Sequence, residues 1–378
     1  MPGIIDRYVL RSFLWLFVIC FVSLAGLYVV IHAFTNLDAF LIYAKKQGPV
    51  LPVLAQYYGY RVVFLFDRLQ AVVVLIAAMF TITALQQHNE MVALVAAGIS
   101  HARVVLPLVL AAVVFSGVAA VNRELVIPQF KDQLDRAPSD LLADATHAVK
   151  PRYDRKTDIL LRASRAVVNR RTLTNPDFLL PPGLDRHGRH LVAQEAVYQD
   201  ANQQHPSGYL LRGVAQPEGI ADKPSLLGPE GDVVIYTPRD ADWLKKDEVF
   251  VVSQVELDQL LGGSSYQYDS TARLIQNLSN PSLDYGADVR VTIHARIVQP
   301  LLDLTLFFLG LPLVLGQYRR NLFLAVGLVM LLVAGFSLTV LGSHYLGRAL
   351  YLSPPLAAWL PLFVFVPVAA VLARAFRQ

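Results

Sequence analysis

The stretch QQHNEMVALVAAGIS, residues 86–100, sits between two long apolar runs and decides how the chain is read. Met91, Leu94, Val95 and Gly98 fall at i, i+3, i+4 and i+7, which predicts a short helix with one apolar face. Asn89 and Glu90 stand at its start, where a polar cap and a negative charge suit a helix N-terminus. Gly98 suits its end, because glycine tolerates the left-handed conformation of a C-terminal cap. Ser100 is placed to cap the helix that follows. Ala93, Ala96 and Ala97 leave little bulk, so a partner's backbone could come close. Two readings stand side by side: a docking lever between spanning helices, or a surface turn of the same composition.

Working outward, apolar runs occupy residues 12–34, 62–85 and 104–121, and again 297–316, 322–341 and 356–373. A membrane-spanning helix needs about 20 mostly apolar residues. The chain of 378 residues is 54% hydrophobic and 16% charged, with mean hydropathy +0.44, too apolar for an ordinary soluble domain. Its formal charge of +4 is spread along the chain and does not argue for a nucleic-acid partner. The single cysteine, Cys20, forms no internal disulfide and builds no cysteine-based metal site. A cleavable signal peptide would have an apolar core of about 7–15 residues and a small-residue cleavage site. The first run is longer and ends His32-Ala33-Phe34-Thr35, so it reads as a retained spanning helix. A short loop carrying Lys45 and Lys46 leads to the second run, and Asn122-Arg123-Glu124 closes the third.

From about residue 125 to 288 the chain turns polar and rich in Pro, Gly and Arg. Residues 158–163, 190–198, 208–214, 231–236 and 249–255 alternate like strands. Pro181-Pro182-Gly183, His187-Gly188 and Pro206-Ser207-Gly208 supply turns between them. The prediction is an α-helical polytopic membrane protein with six transmembrane helices and an inserted extracytoplasmic all-β, jelly-roll-like domain. The expected division is 1–124 for the first three spans, with a cytoplasmic coupling helix at about 87–98. Residues 125–288 form the periplasmic β domain, and 289–378 the last three spans. Six spans put both termini on one face. Arg7, Arg11, Arg103, Arg319, Arg320, Arg374 and Arg377 gather there, so the positive-inside rule makes that face cytoplasmic. Lys45, Lys46 and Arg348 on the opposite face weaken this bias without reversing it.

No G-x-x-x-x-G-K-[ST] occurs, so ATP hydrolysis by the chain itself is not expected. Neither H-E-x-x-H nor G-x-S-x-G occurs. His187 and His190, in HGRH, fit a solvated turn better than a metal site, and no catalytic triad stands out. Ionisable residues near the spans are more informative, because charge in hydrocarbon is expensive and faces a cavity or a partner. Lys45, Lys46, Arg61, Asp67, Arg68, Asp303, His344 and Arg348 are candidates to ring an outward-facing cavity for an anionic ligand. The alternative is interfacial snorkelling, with Asp67 and Asp303 paired to neighbouring arginines. In the β segment, Arg152, Arg155, Lys156, Arg162, Arg165, Arg170 and Arg171 form either a solvated face or a contact for phosphorylated lipid or a partner domain.

Three patches resemble the lipopolysaccharide-export permeases of the LptF/LptG family: IIDRYVLRSFLWLF at the start, NEMVALVAAGISHARVVLP, and IHARIVQPLLDLTLFFLGLPLVL. The first is similar to the D-R-Y opening of LptG members, the second to the family's coupling-helix signature, the third to its H-x-R-x-x-x-P approach to the fourth span. The three-span, β-domain, three-span layout matches along the whole chain. The chain departs from the pattern at Thr292, where members often carry an acid, and near Ala71, where a proline is common. The resemblance implies one permease subunit of an ABC-type lipopolysaccharide exporter, without cofactor. A second six-span permease would pair with it around a central cavity, with the first and fifth spans as lateral gates. A cytoplasmic LptB-type ATPase would dock on Asn89, Glu90, Met91, Leu94, Ala97 and Gly98. The β domain would pass lipopolysaccharide from the inner membrane to LptC/LptA-type bridge components. Rival readings are an FtsX-like membrane regulator that moves no lipid, which usually has four spans, and an envelope enzyme with its site in the β domain.

Overall fold

The computed structural model describes residues 3–47, 49–135, 146–147, 149–167, 171–228, 231–260, 265–280, 282, 286–315 and 322–374. Six helices in it are long and apolar enough to cross a membrane. The first half holds α1 (Ile4–Thr35), α2 (Leu37–Gln47), α3 (Val50–Gln87), α4 (Glu90–Ala96), α5 (His101–Val121) and α6 (Lys131–Asp135). The short helices α2 and α4 follow the first and second spans and so lie at opposite poles. Beyond the β region come α7 (Leu257–Leu260), α8 (Thr271–Leu278), α9 (Ala287–Leu315), α10 (Leu322–Arg348) and α11 (Pro354–Arg374).

Within lipid, helices associate through close packing rather than through apolar transfer. Here α9 is the hub, touching α3, α5, α10 and α11. Its Gly310 lets Leu75 of α3 press against the backbone, leaving no room for a Cβ. On the other side Phe13 and Phe17 of α1 are buried against Phe66 and Phe115, with the Phe17 and Phe115 rings 4.2 Å apart.

Two boundaries differ from the sequence reading. The expected loop at Lys45 and Lys46 is the helix α2: Phe40 is buried against Tyr57 and Tyr58, so apolar packing sustains the turns before Gly48-Pro49. The third span does not stop at Asn122-Arg123-Glu124 but runs to Phe130. Asn122 donates to the Val63 carbonyl at 3.0 Å and Arg123 binds Asp67, so both polar side chains are satisfied inside the bundle. The helix widens to a π turn over Asn122–Val126 and tightens to a 3-10 turn over Ile127–Phe130. Pro128 lacks the N–H that a regular α-helix needs there.

The inserted region is antiparallel throughout. Its strands are β1 (Thr146–His147), β2 (Arg152–Asp154), β3 (Ile159–Leu161), β4 (Ala163–Val167) and β5 (Thr172–Leu179), then β6 (His190–Gln199), β7 (Gly208–Gln216), β8 (Leu226–Leu227), β9 (Val233–Tyr236) and β10 (Glu248–Val252). One hydrogen-bonded sheet runs β1-β4-β5-β6-β7-β10-β9-β8, with the β2–β3 hairpin attached to β5. The sheet rolls on itself. The Ser253 hydroxyl, just past β10, donates to Asp154 of β2 at 2.6 Å, and Lys156 meets Asp232 at 3.3 Å. Alternate residues turn inward to a core holding Leu161, Leu173, Phe178, Leu191, Tyr209, Leu211 and Val249, while Leu210 and Phe250 on the other face join Ala241 and Leu244 in a smaller second cluster. Each such large side chain contributes about 1.5–3 kcal/mol by leaving water. Strand β5 went unpredicted because Asn175-Pro176-Asp177 reads as a turn. Asn175 adopts a left-handed φ of 48° and the ladder to β6 skips Asn175 and Pro176, the irregularity that a proline demands in a strand.

The two stalks of this domain are fastened to the helices. Glu124 accepts the Thr271 N–H at 2.8 Å and its hydroxyl at 2.5 Å, and Lys131 pairs with Asp269 at 3.0 Å. From α9, Arg296 donates to the carbonyls of Asp269 and Gln267 at 2.5 and 2.7 Å.

Candidate functional site: a cationic cavity and a short helix at the opposite pole

Where α3, the end of the third span, α9 and α10 converge beneath the β domain, they enclose a cavity of about 390 Å³. Its lining includes Asp67, Arg68, Arg123, Arg296, Gln299, His344 and Arg348, so four arginines face one carboxylate. Asp67 and Arg68 come from the middle of α3, Arg123 from within the third span, Arg296 and Gln299 from the first half of α9, and His344 and Arg348 from the end of α10. Asp67 is engaged: Arg123 donates to one of its oxygens through Nε and Nη2 at 2.9 and 2.8 Å, with the two side chains 7% and 10% exposed. Arg68 lays its guanidinium over the Phe64 ring at 5.0 Å, which holds the cation at the wall. Tyr268 packs edge-on against the same ring at 5.3 Å, and burial raises its phenol above the ordinary value. Guanidinium groups offer planar forks that match phosphate or carboxylate oxygens.

Of the residues expected to ring a cavity, the structure brings together Asp67, Arg68, His344 and Arg348. Arg61 does not line it; its guanidinium lies 4.4 Å over the Tyr57 ring. Lys45 is exposed on α2 away from it, and the Lys46 side chain lies outside the described residues. Asp303 sits one layer below. Among the described residues it pairs with no arginine but takes amide hydrogens from Gln70 at 2.5 Å and from Gln299 at 2.8 Å. Arg123, Arg296 and Gln299 were missed as site residues. Arg123 read as the close of a span, and Arg296 lay within the third quoted patch without being given a role.

At the other pole, Asn89 holds a left-handed φ of 57° rather than capping α4 with its side chain. Gly98, at φ 83°, ends the helix: its N–H bonds the Val95 carbonyl at 2.9 Å and the Ile99 N–H bonds that of Leu94 at 3.0 Å, a Schellman closure. Helix α4 is shorter than the expected 87–98. Met91 is buried and Leu94 half-buried against the bundle, whereas Val95 belongs with Val92 on the exposed face. Ala97 and Gly98 are exposed beside them. Glu90 is not free: it accepts a hydrogen bond from the Tyr8 hydroxyl at 3.1 Å.

The cationic run in the β domain is largely paired off. Arg162 binds Asp177, Arg171 meets Asp200 at 3.5 Å, and Arg152 donates to the Gln259 carbonyl at 3.2 Å. Arg170 lies outside the described residues, as do Arg319, Arg320 and Arg377. His187 bonds the Pro224 carbonyl and His190 bonds Asp177, each at 2.9 Å, so HGRH is a tethered turn.

Six helices able to span a membrane, a polar cavity at one pole and an inserted antiparallel domain make a multi-pass membrane protein. The family model described as "Lipopolysaccharide export system permease LptF/LptG" matches residues 7–375, nearly the whole chain. The chain belongs to the LptF/LptG family of lipopolysaccharide export permeases and is a multi-pass inner-membrane protein. Among the curated proteins, none matches it significantly.

Proposed function

We propose that this chain is the transmembrane half of a two-permease exporter that draws lipopolysaccharide from the inner membrane and is powered by a separate LptB-type ATPase. The observation that carries this is the polarity of the molecule: a short helix with Val92, Val95 and Ala97 exposed at one pole, and a cavity of arginines beneath the β domain at the other. Arg7, Arg11 and Arg103 lie toward the α4 pole, and by the positive-inside rule they support a cytoplasmic assignment for it. The β domain is then periplasmic. Closure of the ATPase dimer would push α4, and rigid-body movement of the spans would follow. Arg68, Arg296 and Arg348 would meet the phosphates of the lipid at headgroup height, while its acyl chains stay among apolar side chains. The β domain would then hand the lipid to LptC/LptA-type bridge components.

The test is a complex co-purified from cells, followed by crosslinking to lipopolysaccharide. Arg68→Glu with Arg348→Glu should lower crosslinking roughly tenfold or more while assembly stays intact, since each reversed charge removes a charge-assisted contact of about 1.5–3 kcal/mol. Unchanged crosslinking sinks the cavity as the lipid site. A stable ATPase complex whose depletion leaves lipopolysaccharide distribution unaltered favours the FtsX-like regulator.

A further inference from the structure

The start of α1 is fastened on both sides of the α4 segment. Asp6 binds Arg103, in the first turn of α5, at 2.9 Å, and Tyr8 donates to Glu90, the first residue of α4. Between these two polar ties lies a dry seam. Val9 of α1 is fully buried, as is Val104 of α5; Met91 of α4 is nearly so, and Ile5, Leu94 and Ile99 pack onto the same cluster. Asp6 is also anchored within its own helix, accepting the Gly3 N–H at 2.8 Å, so its carboxylate is held in position when Arg103 meets it. Exposed ties of this kind hold weakly on their own. The apolar seam supplies the adhesion, and the two ties fix the rotation of α1 about it.

The remainder of α1 is seated on one face only, where Phe13 and Phe17 pack on α3 and α5. Only about a tenth of its most apolar window is buried, and its outward face carries Leu14, Trp15, Val18, Val22 and Leu27 against no helix of this chain. We infer that Asp6 and Tyr8 are positioning residues that bind α1 to the α4–α5 corner, so that α1 and the short helix move as one body and a push on α4 is delivered directly to the first span. This rests on the proposed coupling of α4 to an ATPase.

The experiment uses the full exporter, with its partner permease and ATPase, in vesicles of phosphatidylethanolamine and phosphatidylglycerol loaded with lipopolysaccharide. In a Cys20→Ser background, Asp6→Cys with Arg103→Cys breaks one tie, and a short bis-maleimide then restores it covalently. The unlinked pair should hydrolyse ATP at the parent rate but release roughly three- to fivefold less lipid per ATP, the factor that an exposed ion pair near the upper end of its range supplies. Linking should restore release. Tyr8→Phe, which keeps the ring and removes the donor, should show the same split between turnover and release. Full release in the unlinked pair and in Tyr8→Phe overturns the inference, as does a linked exporter that turns over ATP and releases nothing. A parent complex without lipid-stimulated ATP turnover refutes the coupling reading and this inference with it.

Discussion

Replacing Asp67 by alanine tests the electrostatic account of the cavity directly. The carboxylate and Arg123 are both nearly excluded from solvent, at 7% and 10% exposure, and Arg123 spends Nε and Nη2 on one oxygen. Removing one member of a buried pair costs about 3–5 kcal/mol, because the remaining charge is left without a counter-ion. Arg123 borders the cavity, where water can reach it, so the lower end, about 3 kcal/mol, is expected. Asp67→Ala with Arg123→Met removes both charges and should recover most of that loss, since an apolar pair of similar volume is often neutral. Thermal unfolding in detergent, followed by tryptophan fluorescence, measures all three. The single variant also leaves four arginines facing no carboxylate. Lipopolysaccharide should therefore raise its midpoint more than it raises the parent's, by mass action on a tighter site. A double variant no more stable than the single one would refute the reasoning, and so would a single variant indistinguishable from the parent.

Gly310→Ala places a Cβ against Leu75, which is 1% exposed, so overpacking of about 1–3 kcal/mol should outweigh the gain in helix propensity. Adding Leu75→Val, which shortens the clashing side chain by one carbon, should lessen the loss in the same unfolding assay. In the β domain, burial pushes the Asp177 carboxyl up, but hydrogen bonds from His190 and Arg162 outweigh it and hold the group below the usual carboxylate range. Its folded pKa is thus lower than its unfolded one. The stabilisation is present above about pH 4 and is lost as the pH falls through the folded value. Asp177→Asn should destabilise the chain in denaturant titrations at neutral pH, and the gap to the parent should close in acid.

The spans were legible because hydrocarbon imposes a single rule on about twenty residues at a time, and residues 62–85 and 104–121 obey it plainly. What escaped was set by partners distant in sequence. Nothing local in Asn122-Arg123-Glu124 announces Val63, Asp67 and Thr271, yet these turn an apparent helix end into the middle of a span. Phe40 likewise converts a lysine-bearing linker into α2 through Tyr57 and Tyr58 of the next helix. Of the cavity, the helix-borne Asp67, Arg68, His344 and Arg348 could be listed from charge near apolar runs alone. Arg296 stands directly before the run 297–316 and met the same rule; only its carbonyl partners at Asp269 and Gln267 carry no side-chain signal. In α4 the glycine stop was legible from its type, whereas the true orientation of the helix was not, since Val95 and Leu94 are equally apolar and only packing separates them.

The moorings of the β domain have a mechanical corollary. Glu124 and Lys131 grip the returning strand of chain from one span while Arg296 grips it from another, so the domain has two roots and no free swivel. Any tilt between those two spans must reappear as a swing of the whole sheet, larger at its tip than at its roots. A displacement too small to notice among the helices would thus be amplified into a stroke at the distal rim.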